Sequence, residues 1–536
     1  MSISPKTLQN DTFYTVTIGD YIYNNGISDL TTDIYSWHEL PYTYPHWLYD
    51  LGMFIIYNNF GQDGIYLSTM ILSAILGISI YALCNHKSKN KVVSVVVTFA
   101  MIYLIKSFIA ARAQLVTFIL FAWTVLAIEK FLETKKKRYA VILIIIPLLI
   151  TNLHCAVFPF YFILFLPYIG EFLLLVLEDC NLWFRTKKLF LTIRKKLTKK
   201  EDKKALIDEK IEKITKEKDE RNIKVKKLRE NPYKIKVEKN YVVLLLITIM
   251  CISLLTGFLN PAGDGAFTYL YKTLKGHTTD SINEHLPLTL IENVEFAVAL
   301  IVFLLILIFT DTKIRLSDLV MLIGITFLSF TSRRQVSMFA IFCGPILAKL
   351  ISDMVNKYDK QTFQKLEKLF TNWFDATVII CFCIIACTNI IKPTINNAYI
   401  DEGSYPVAAA DWMIENLDVK NIKLYNEYNY GSYLLFRGIP VFIDSRCDLY
   451  SPEFNGSYNT ETKRYDGKDI FADALNIAGL GVDYKEKFEE YGVTHIILYE
   501  DSKLAMVLES DTNYKKLYDE GRFKIFERLI ATQNQD

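Results

Sequence analysis

Long apolar blocks alternate with short polar connections along the chain up to about residue 391. Each block holds roughly 18 or more residues, which is enough for a helix to cross about 30 Å of hydrocarbon. In a soluble protein of this size the apolar residues would recur with a short period instead. The sequence therefore predicts an α-helical polytopic membrane protein with about ten spanning helices, near residues 62–84, 92–109, 113–132, 139–154, 156–178, 241–259, 291–310, 317–331, 335–354 and 375–391.

The charged residues are distributed unevenly, although the formal net charge of the 536-residue chain is only +2. Lysine and arginine concentrate in every second connection, at residues 86–91, 135–138, 185–240, 311–315 and 349–368. Basic connections of membrane proteins face the cytoplasm. With ten helices, that rule places residues 1–60 and 393–536 together on the extracytoplasmic side and leaves 61–392 as the transmembrane domain.

The N-terminal segment, residues 1–60, is polar, aromatic and acidic, and we expect a loop at the membrane surface. A solvated connection without a function is the plainer alternative. Apolar residues recur with helical spacing over 45–57, which predicts an interfacial helix or the opening turns of the next spanning helix. Because a polar tail of this length needs help to cross the membrane, we expect a spanning helix upstream of it, with translocation aided by the first helix of the chain as the alternative. The carboxylates of the segment are Asp11, Asp20, Asp29, Asp33 and Glu39.

A charged segment interrupts the apolar blocks at residues 182–240. Residues 185–240 hold 22 Lys/Arg against 10 Asp/Glu, a net charge of about +12. Lysine and glutamate at helical spacing predict a cytoplasmic helical hairpin or coiled coil whose basic flanks face anionic lipid head groups. Aromatic residues are not interleaved with these charges, so the segment is not typical of a nucleic-acid-binding surface.

From about residue 393 the pattern changes to short elements that are typical of a soluble domain. Helices are predicted at 408–417, 430–438 and 501–509, and strands at 421–426, 441–446, 493–499 and 523–527. This alternation favours a small extracytoplasmic α/β domain with a mostly parallel sheet. Cys447 is its only cysteine, so the domain has no internal disulfide. Asp444 and Arg446 form either a site or a structural ion pair.

Polar and ionisable residues collect at the predicted extracytoplasmic ends of the helices. Arginine is unexpected there under the charge-bias rule, and ionisable groups at membrane depth are costly. A guanidinium binds phosphate through two parallel hydrogen bonds, so arginines opposite a carboxylate loop suit a lipid-phosphate-linked donor. Snorkelling of each arginine to lipid head groups is the alternative. The set comprises Arg112, Gln114, Asn152, His154, Asn260, Glu284, Arg333 and Arg334, with Asp11, Asp33, His46 and Trp47 from the N-terminal segment.

The sequence specifies no cofactor. Its histidines have no zinc-ligand spacing, and no P-loop, G-x-S-x-G or H-E-x-x-H motif occurs. Glu284 or the aspartates of the N-terminal segment are candidate ligands of Mg²⁺ or Mn²⁺, shared with phosphate oxygens. The participation of a divalent cation therefore stays open.

The order of these motifs resembles bacterial polytopic proteins of the GT-C glycosyltransferase superfamily. Each motif is short, and the likeness lies in their order over most of the chain apart from 185–240. The family pattern also has a spanning helix before the acidic segment and often a second acid where this chain has Gln9. The matching motifs are D-T-F-Y-x-x-x-x-G from Asp11 to Gly19, Asp33 to Ser36, His46 to Leu48, Arg112 to Gln114, Asn152 to His154, Asn260-Pro261, Glu284, Ser332 to Gln335, Asn426 to Gly431 and Phe442 to Arg446.

The resemblance implies an integral membrane glycosyltransferase that moves a sugar from a polyprenyl-phosphate donor to an extracytoplasmic glycan, lipid or protein acceptor, with inversion. It implies Asp11 as the general base on the acceptor hydroxyl and Asp33 as the second candidate. Arg112, Arg333 and Arg334 would bind the donor phosphate, and the other polar residues would position substrates. The implied location is the bacterial cytoplasmic membrane, with membrane lipid as a partner and no nucleic acid.

Two non-enzymatic interpretations use the same features. A transporter or flippase of lipid-linked glycans would need the arginine-lined cavity but no base. A scaffold for envelope assembly would use the C-terminal domain for docking. Many transporters contain internal repeats, whereas this chain shows no obvious repeat and clusters its acids in an outer segment. The transferase is therefore the preferred interpretation.

Overall fold

A computed structural model of the protein describes residues 4–27, 31–361, 364–365, 368 and 373–529. Helices form most of the chain up to residue 396, and most of them pack around one hydrophobic core. Two short strands, β1 (Ile235–Lys236) and β2 (Ile314–Arg315), pair in parallel. The helices are α1 (Asn10–Asn25), α2 (Trp47–Ser88), α3 (Lys91–Leu104), α4 (Ala113–Thr134), α5 (Lys137–Leu153), α6 (Phe158–Ile163), α7 (Leu166–Cys180), α8 (Leu182–Leu197), α9 (Glu201–Glu230), α10 (Val242–Leu254), α11 (Gly265–Lys275), α12 (Thr278–Ser281), α13 (Val294–Phe309), α14 (Leu316–Thr331), α15 (Val336–Tyr358) and α16 (Trp373–Asn396).

Four helical stretches among the described residues are long and apolar enough to cross a membrane. The predicted spans at 62–84, 113–132, 156–178 and 335–354 lie within them. Other predicted spans fall on shorter apolar helices of 10–17 residues, including α3, α10, α13 and α14. A helical chain with several apolar helices is thus confirmed, but ten spans of full length are not found in the described residues. One reason is that a 3-10 turn at Lys106–Phe108 follows the end of α3. The four stretches are Trp47–Ser88, Ala113–Thr134, Cys155–Leu197 and Arg333–Tyr358.

Helix α1 corrects the loop that the sequence predicts for the N-terminal segment. Threonine, valine and aromatic residues do not favour a helix by themselves, so packing decides the conformation here. Phe13, Val16 and Ile18 are buried. Gly19 lies directly against α2, where a Cβ atom would come within 2.2 Å of the Asp50 carbonyl oxygen. Only a glycine permits this approach of the two helices.

Helix α2 changes direction at Gly61, whose φ of 60° and ψ of −151° are not helical. Glycine adopts a positive φ without a steric penalty. The kink separates the first part of the helix, which begins at Trp47, from the apolar part that follows. Residues 45–57 therefore contain the opening turns of a helix that continues into a span. The position of these turns in a membrane interface stays a prediction.

Residues 424–528 contain a four-stranded sheet. Its strands lie in the order β3 (Leu424–Tyr425), β6 (His495–Tyr499), β8 (Phe523–Arg528) and β7 (Tyr514–Glu520). Only β3 and β6 pair in parallel, while β6–β8 and β7–β8 are antiparallel. The prediction of a mostly parallel sheet is therefore wrong. The polar segment that forms β7 was not predicted as a strand, and Gly521, at a φ of 67°, turns it back into β8. The elements are α17 (Val407–Asn416), β3 (Leu424–Tyr425), α18 (Gly431–Phe436), α19 (Pro452–Asn455), β4 (Tyr458–Asn459), β5 (Arg464–Tyr465), α20 (Ile470–Gly479), α21 (Tyr484–Tyr491), β6 (His495–Tyr499), α22 (Lys503–Ser510), β7 (Tyr514–Glu520) and β8 (Phe523–Arg528).

The predicted strand at 441–446 is an extended segment without a sheet ladder. The Asn426 side chain takes the place of a neighbouring strand: its amide oxygen accepts from Phe442 N at 2.9 Å, and its amide nitrogen donates to Ile443 O at 2.7 Å. On the other side, Val441 bridges to Ser36 of the N-terminal segment. These side-chain bonds satisfy backbone groups that a ladder would otherwise pair.

A second hydrophobic core joins the N-terminal segment to the C-terminal unit, the part of the chain from about residue 399. At its centre the Arg446 guanidinium lies between two carboxylates, with Nη1 at 2.6 Å from Asp33 Oδ1 and Nη2 at 2.6 Å from Asp444 Oδ2. The Tyr450 hydroxyl also donates to Asp444, at 2.6 Å. Because these groups are buried, the network fixes the C-terminal unit above the helix ends, where the candidate site lies.

Candidate functional site

A cleft of about 610 Å³ lies between the ends of several helices and the C-terminal unit. The first turn of α1, the starts of α2 and α4 and the end of α5 contribute its lower wall. Residues 281–285 and Arg334 close one side, and residues 427–429, Ser445 and Cys447 with part of α20 cover it. The structure brings together seven of the predicted residues in this lining: Asp11, His46, Arg112, Gln114, His154, Glu284 and Arg334.

One guanidinium joins the two carboxylates of the cleft. Arg112, at the N-terminal boundary of α4, places Nε at 3.0 Å from Asp11 Oδ2 and Nη1 at 3.0 Å from Glu284 Oε1. Asp11 lies in the first turn of α1, where a negative charge is favoured by the helix dipole. The side chains of Asp11 and Arg112 are each 25% exposed, so the pair is open to the cleft. The arrangement fixes the direction of both carboxylates.

Arg334 supplies a second cation beside this chain of charges. Its backbone N–H donates to the Glu284 carbonyl oxygen at 3.0 Å, which fixes the start of α15 against the 281–285 loop. Its half-buried guanidinium forms no hydrogen bond or ion pair with any residue in the described ranges. Burial opposes the ionisation of Glu284, but Arg112 and Arg334 hold the pKa of this carboxyl below its usual value. The Arg334 guanidinium therefore has N–H donors that no described residue occupies.

Two histidines lie deeper in the cleft and differ in charge. His46 Nδ1 is 2.8 Å from both oxygens of buried Asp50, and Nε2 is 3.3 Å from the Tyr14 hydroxyl. Burial disfavours the imidazolium, but Asp50 raises the pKa of His46 above its ordinary value. Burial, together with Arg334 and His46, holds the pKa of His154 well below its ordinary value. His46 is thus the more readily protonated member of the pair.

The C-terminal unit adds Glu427, Tyr428 and Cys447 to the cleft. Burial, reinforced by Asp501, raises the pKa of Glu427 to about 7. Burial also raises the pKa of the Cys447 thiol, which keeps it protonated and unreactive at neutral pH. The roof of the cleft therefore carries one carboxyl group that titrates near neutrality, in contrast to the paired carboxylates below it.

Asp33, the second candidate base, does not reach the cleft. Its side chain is fully buried, where Oδ1 contacts Arg446 and Oδ2 accepts from Ser36 N at 2.8 Å and from Ser36 Oγ at 2.5 Å. All of its accessible lone pairs are therefore occupied by protein donors. The pair of Asp444 and Arg446 belongs to the same buried network, which supports the structural alternative for that pair.

Four further predicted residues lie outside the lining. The Arg333 guanidinium donates to Glu292 at 2.8 Å and to Asn283 at 3.1 Å. Trp47 Nε1 donates to Asn152 Oδ1 at 3.1 Å, and the Asn152 amide donates to Leu259 O at 2.9 Å. The Asn260 amide donates to Gly257 O at 2.6 Å inside its own turn. Trp47, Asn152 and the 257–263 turn thus hold helix ends together around the site.

Sequence reasoning missed Asp50, Tyr14 and Glu427. The spacing of His46 and Asp50 is i, i+4 at the start of a helix, which brings two side chains onto one face, so the dyad could have been predicted. Tyr14 lies one turn after Asp11 on α1 and would have followed from a helical assignment of that segment. Glu427 carries no local signal, because only the docking of the C-terminal unit brings it over the cleft.

The residues present do not fit a dedicated metal site. Within the described ranges no group of three His, Cys, Asp or Glu side chains is arranged to bind an ion. The two carboxylates that could bind Mg²⁺ or Mn²⁺, Asp11 and Glu284, both contact the Arg112 guanidinium. A divalent cation would have to displace that charge first. No step of the chemistry below is routed through a metal.

No protein-family model matches the sequence, and no curated protein matches it. Solved structures of similar fold do exist. The oligosaccharyltransferase from Archaeoglobus fulgidus in its apo form superposes with a TM-score of 0.50 at 12% identity, over 92% of this chain and 66% of that one. The archaeal oligosaccharyltransferase AglB from the same organism, in complex with an inhibitory peptide and a dolichol-phosphate, gives 0.49 at 13% identity, over 96% and 70% of the two chains.

A third structure, that oligosaccharyltransferase tethered to an acceptor peptide, gives a TM-score of 0.47 at 12% identity and covers 92% of this chain and 65% of that one. The chain thus spans about two thirds of the length of these enzymes. At such identities the likeness concerns the fold alone. The apo enzyme superposes on most of this chain. The protein therefore has a fold similar to that of this archaeal oligosaccharyltransferase.

Proposed function

We propose that the protein is an integral membrane glycosyltransferase that moves a sugar or glycan from a polyprenyl-phosphate-type lipid donor to an extracytoplasmic acceptor, with inversion at the anomeric carbon. The observation that carries this proposal is the charge order in one cleft. Asp11, a partly exposed carboxylate, is oriented by Arg112, and Arg334 lies beside them with no protein partner among the described residues. Asp11 can accept a proton while Arg334 binds a phosphate.

Asp11 would act as the general base. As the acceptor hydroxyl oxygen forms its bond to the anomeric carbon, its proton passes to the Asp11 carboxylate. The bond from that carbon to the donor phosphate oxygen breaks on the opposite face, and the lipid phosphate leaves with the electron pair. One displacement inverts the configuration. Arg112 would act as a positioning residue, because its guanidinium already holds Asp11 and Glu284.

Arg334 would bind the lipid phosphate and stabilise the charge that develops as this group leaves. A guanidinium that must be desolvated without a partner is costly, and an incoming phosphate would offer two parallel charge-assisted hydrogen bonds. His46, held by Asp50, would add a second positive charge deeper in the cleft when it is protonated. Arg333 would have no direct part, since its guanidinium lies outside the cleft lining and already donates to Glu292 and Asn283.

The test measures release of polyprenyl phosphate and transfer of labelled sugar from a polyprenyl-phosphate sugar in membranes that contain the full chain. Asp11→Asn should abolish transfer but keep donor binding. Arg334→Ala should weaken donor binding by about 10- to 100-fold, the equivalent of one or two charged hydrogen bonds. The anomeric configuration of the product should be inverted relative to the donor.

Arg333→Ala is the matched control, because it removes the same side chain at the neighbouring position but leaves the cleft unchanged. It should keep nearly full transfer. Movement of intact donor across the bilayer without bond cleavage would make the protein a transporter. Equal losses of sugar transfer in the Arg333 and Arg334 variants would show that the loss comes from impaired folding. That result would refute Arg334 as the phosphate-binding residue.

A further inference from the structure

Helix α8 has an exposed apolar face, although it lies in the most basic part of the chain. Six large apolar side chains on it are 49% exposed or more: Leu182, Trp183, Leu189, Phe190, Ile193 and Leu197. Successive side chains are about 100° apart around a helix, so these six fall within an arc of about 120°. An apolar face of this extent is unfavourable in water and needs a covering surface.

The two edges of this arc are lined by cations. The same spacing puts Lys187 and Arg194 along one edge and Arg185 and Lys196 along the other. All four are exposed, and none forms an ion pair with a residue in the described part of the chain. Lys195, in contrast, points towards α9 and pairs with Asp208 at 2.5 Å. The unpaired cations therefore belong to the apolar face and not to the hairpin interior.

The opposite face of α8 is already used. Leu191 is buried against Ile207 and Ile214 of α9, with Phe184 packed at the edge of this contact. A second copy of the hairpin could not bind at this inner face, because α9 already covers it. The contact with α9 therefore accounts for the inner face of α8 only. The outer face remains without a partner in the described structure.

The position of α8 in the chain brings it close to the lipid. It begins one residue after α7, whose side chains Leu173, Leu174 and Leu177 are exposed and apolar. Asn181, at a φ of 47° and a ψ of 41°, breaks the helix between them and redirects the chain. The Asn181 side chain is held by Arg221 at 2.9 Å and Asn222 at 3.0 Å, which fixes the base of the hairpin.

We propose that the outer face of α8 is a docking surface for an anionic lipid leaflet, with its apolar arc inserted among the acyl chains and its four edge cations bound to lipid phosphates. An amphipathic helix with aromatic and aliphatic residues on one face and Lys/Arg beside them has the composition of an interfacial helix. Each cation near an anionic surface strengthens binding ~5-fold. The hairpin would thereby be held flat against the leaflet at which α7 ends.

The experiment uses the full chain in lipid nanodiscs of phosphatidylcholine alone or with 30% phosphatidylglycerol. Quenching of Trp183 by brominated acyl chains is measured as the difference from the Trp183→Phe chain. We expect strong quenching that requires the anionic lipid. Reversal of the four edge cations, R185E/K187E/R194E/K196E, should reduce it to the level seen in phosphatidylcholine alone. A matched control reverses four exposed α9 lysines and should keep the quenching: K203E/K210E/K213E/K216E.

Three results would overturn the proposal. If Trp183 stays unquenched in both lipid compositions, the face is open to water or to a protein partner instead. If quenching is the same with and without phosphatidylglycerol, the helix contacts lipid but does not recognise its charge. If the α9 control loses as much quenching as the α8 variant, only the total charge of the hairpin matters.

Discussion

Replacement of Asp33 by asparagine tests whether this aspartate is structural or catalytic. The amide keeps the shape of the side chain but removes its charge. Arg446 then loses the negative charge on one side, and the new NH2 group faces either the Arg446 or the Ser36 donors, while the contact of Arg446 with Asp444 remains. Because both side chains are at most 2% exposed, water cannot replace the missing charge. The N-terminal segment loses its strongest polar tie to the C-terminal unit.

The expected cost follows from the burial of the pair. Removal of one partner from a buried ion pair costs about 3–5 kcal/mol, and we expect about 3 kcal/mol, the lower end, because Asp444 still neutralises Arg446. For a cooperative unit of 150–250 residues each kcal/mol lowers the unfolding temperature by about 2–4 °C. Asp33→Asn should therefore lower the transition of the C-terminal unit and N-terminal segment by about 6–12 °C.

The assay is thermal unfolding of the detergent-solubilised chain, followed by intrinsic fluorescence, with sugar transfer measured well below the transition. Asp20→Asn is the control, since the exposed Asp20 side chain accepts a hydrogen bond from Asn24 within its own helix, and it should change stability by less than about 0.5 kcal/mol. If Asp33→Asn unfolds at the wild-type temperature but loses transfer at low temperature, Asp33 is catalytic and its structural assignment is refuted.

Two other perturbations address the cleft. Arg112→Lys keeps the charge, but an ammonium group lacks the planar array of donors with which the guanidinium contacts both carboxylates. We therefore expect kcat to fall about 10- to 100-fold with little change in donor KM. An unchanged kcat in steady-state assays would contradict this expectation. Glu427, whose pKa rises from 4.5 to about 7 on folding, binds its proton more tightly in the folded state. Stability should therefore fall as the pH rises between these values, by up to about 1.4 kcal/mol per pH unit. Glu427→Gln should remove this slope in unfolding measurements from pH 4.5 to 7.5, and a slope that persists would exclude Glu427 as its source.

Much of the architecture could be predicted from local patterns. Continuous apolar runs specify helices such as α4 and α15, because every backbone polar group must be satisfied within the segment in hydrocarbon. The charged helical spacing of 201–230 specifies α9 in the same way. Polar residues that interrupt the apolar runs at helix ends, including Arg112, His154 and Arg334, converge in one cleft because each of those ends lies at the same side of the helix bundle.

Only the tertiary structure shows that residues adjacent in sequence or of the same type have different partners. Arg333 and Arg334 are neighbours in sequence, yet one is paired with Glu292 and the other lies in the cleft without an ion pair to any described residue, since a 3-10 turn points their side chains in different directions. Asp11 and Asp33 are both acids of the N-terminal segment. Asp33 meets Arg446 across 413 residues of sequence, a partner that no local pattern could indicate.

The sequence by itself thus determined the apolar helices, the basic hairpin and the set of polar residues at the helix ends, because these depend on interactions within a few turns or with the surrounding solvent. The tertiary structure alone decided the helical state of α1, the mixed order of the sheet, and the placement of Asp11 in the cleft and of Asp33 in a buried ion pair. Those outcomes depend on contacts such as Gly19 against α2 and Asn426 beside residues 442–443. Such contacts are made between distant segments, and their energies exceed the weak local preferences of the residues involved.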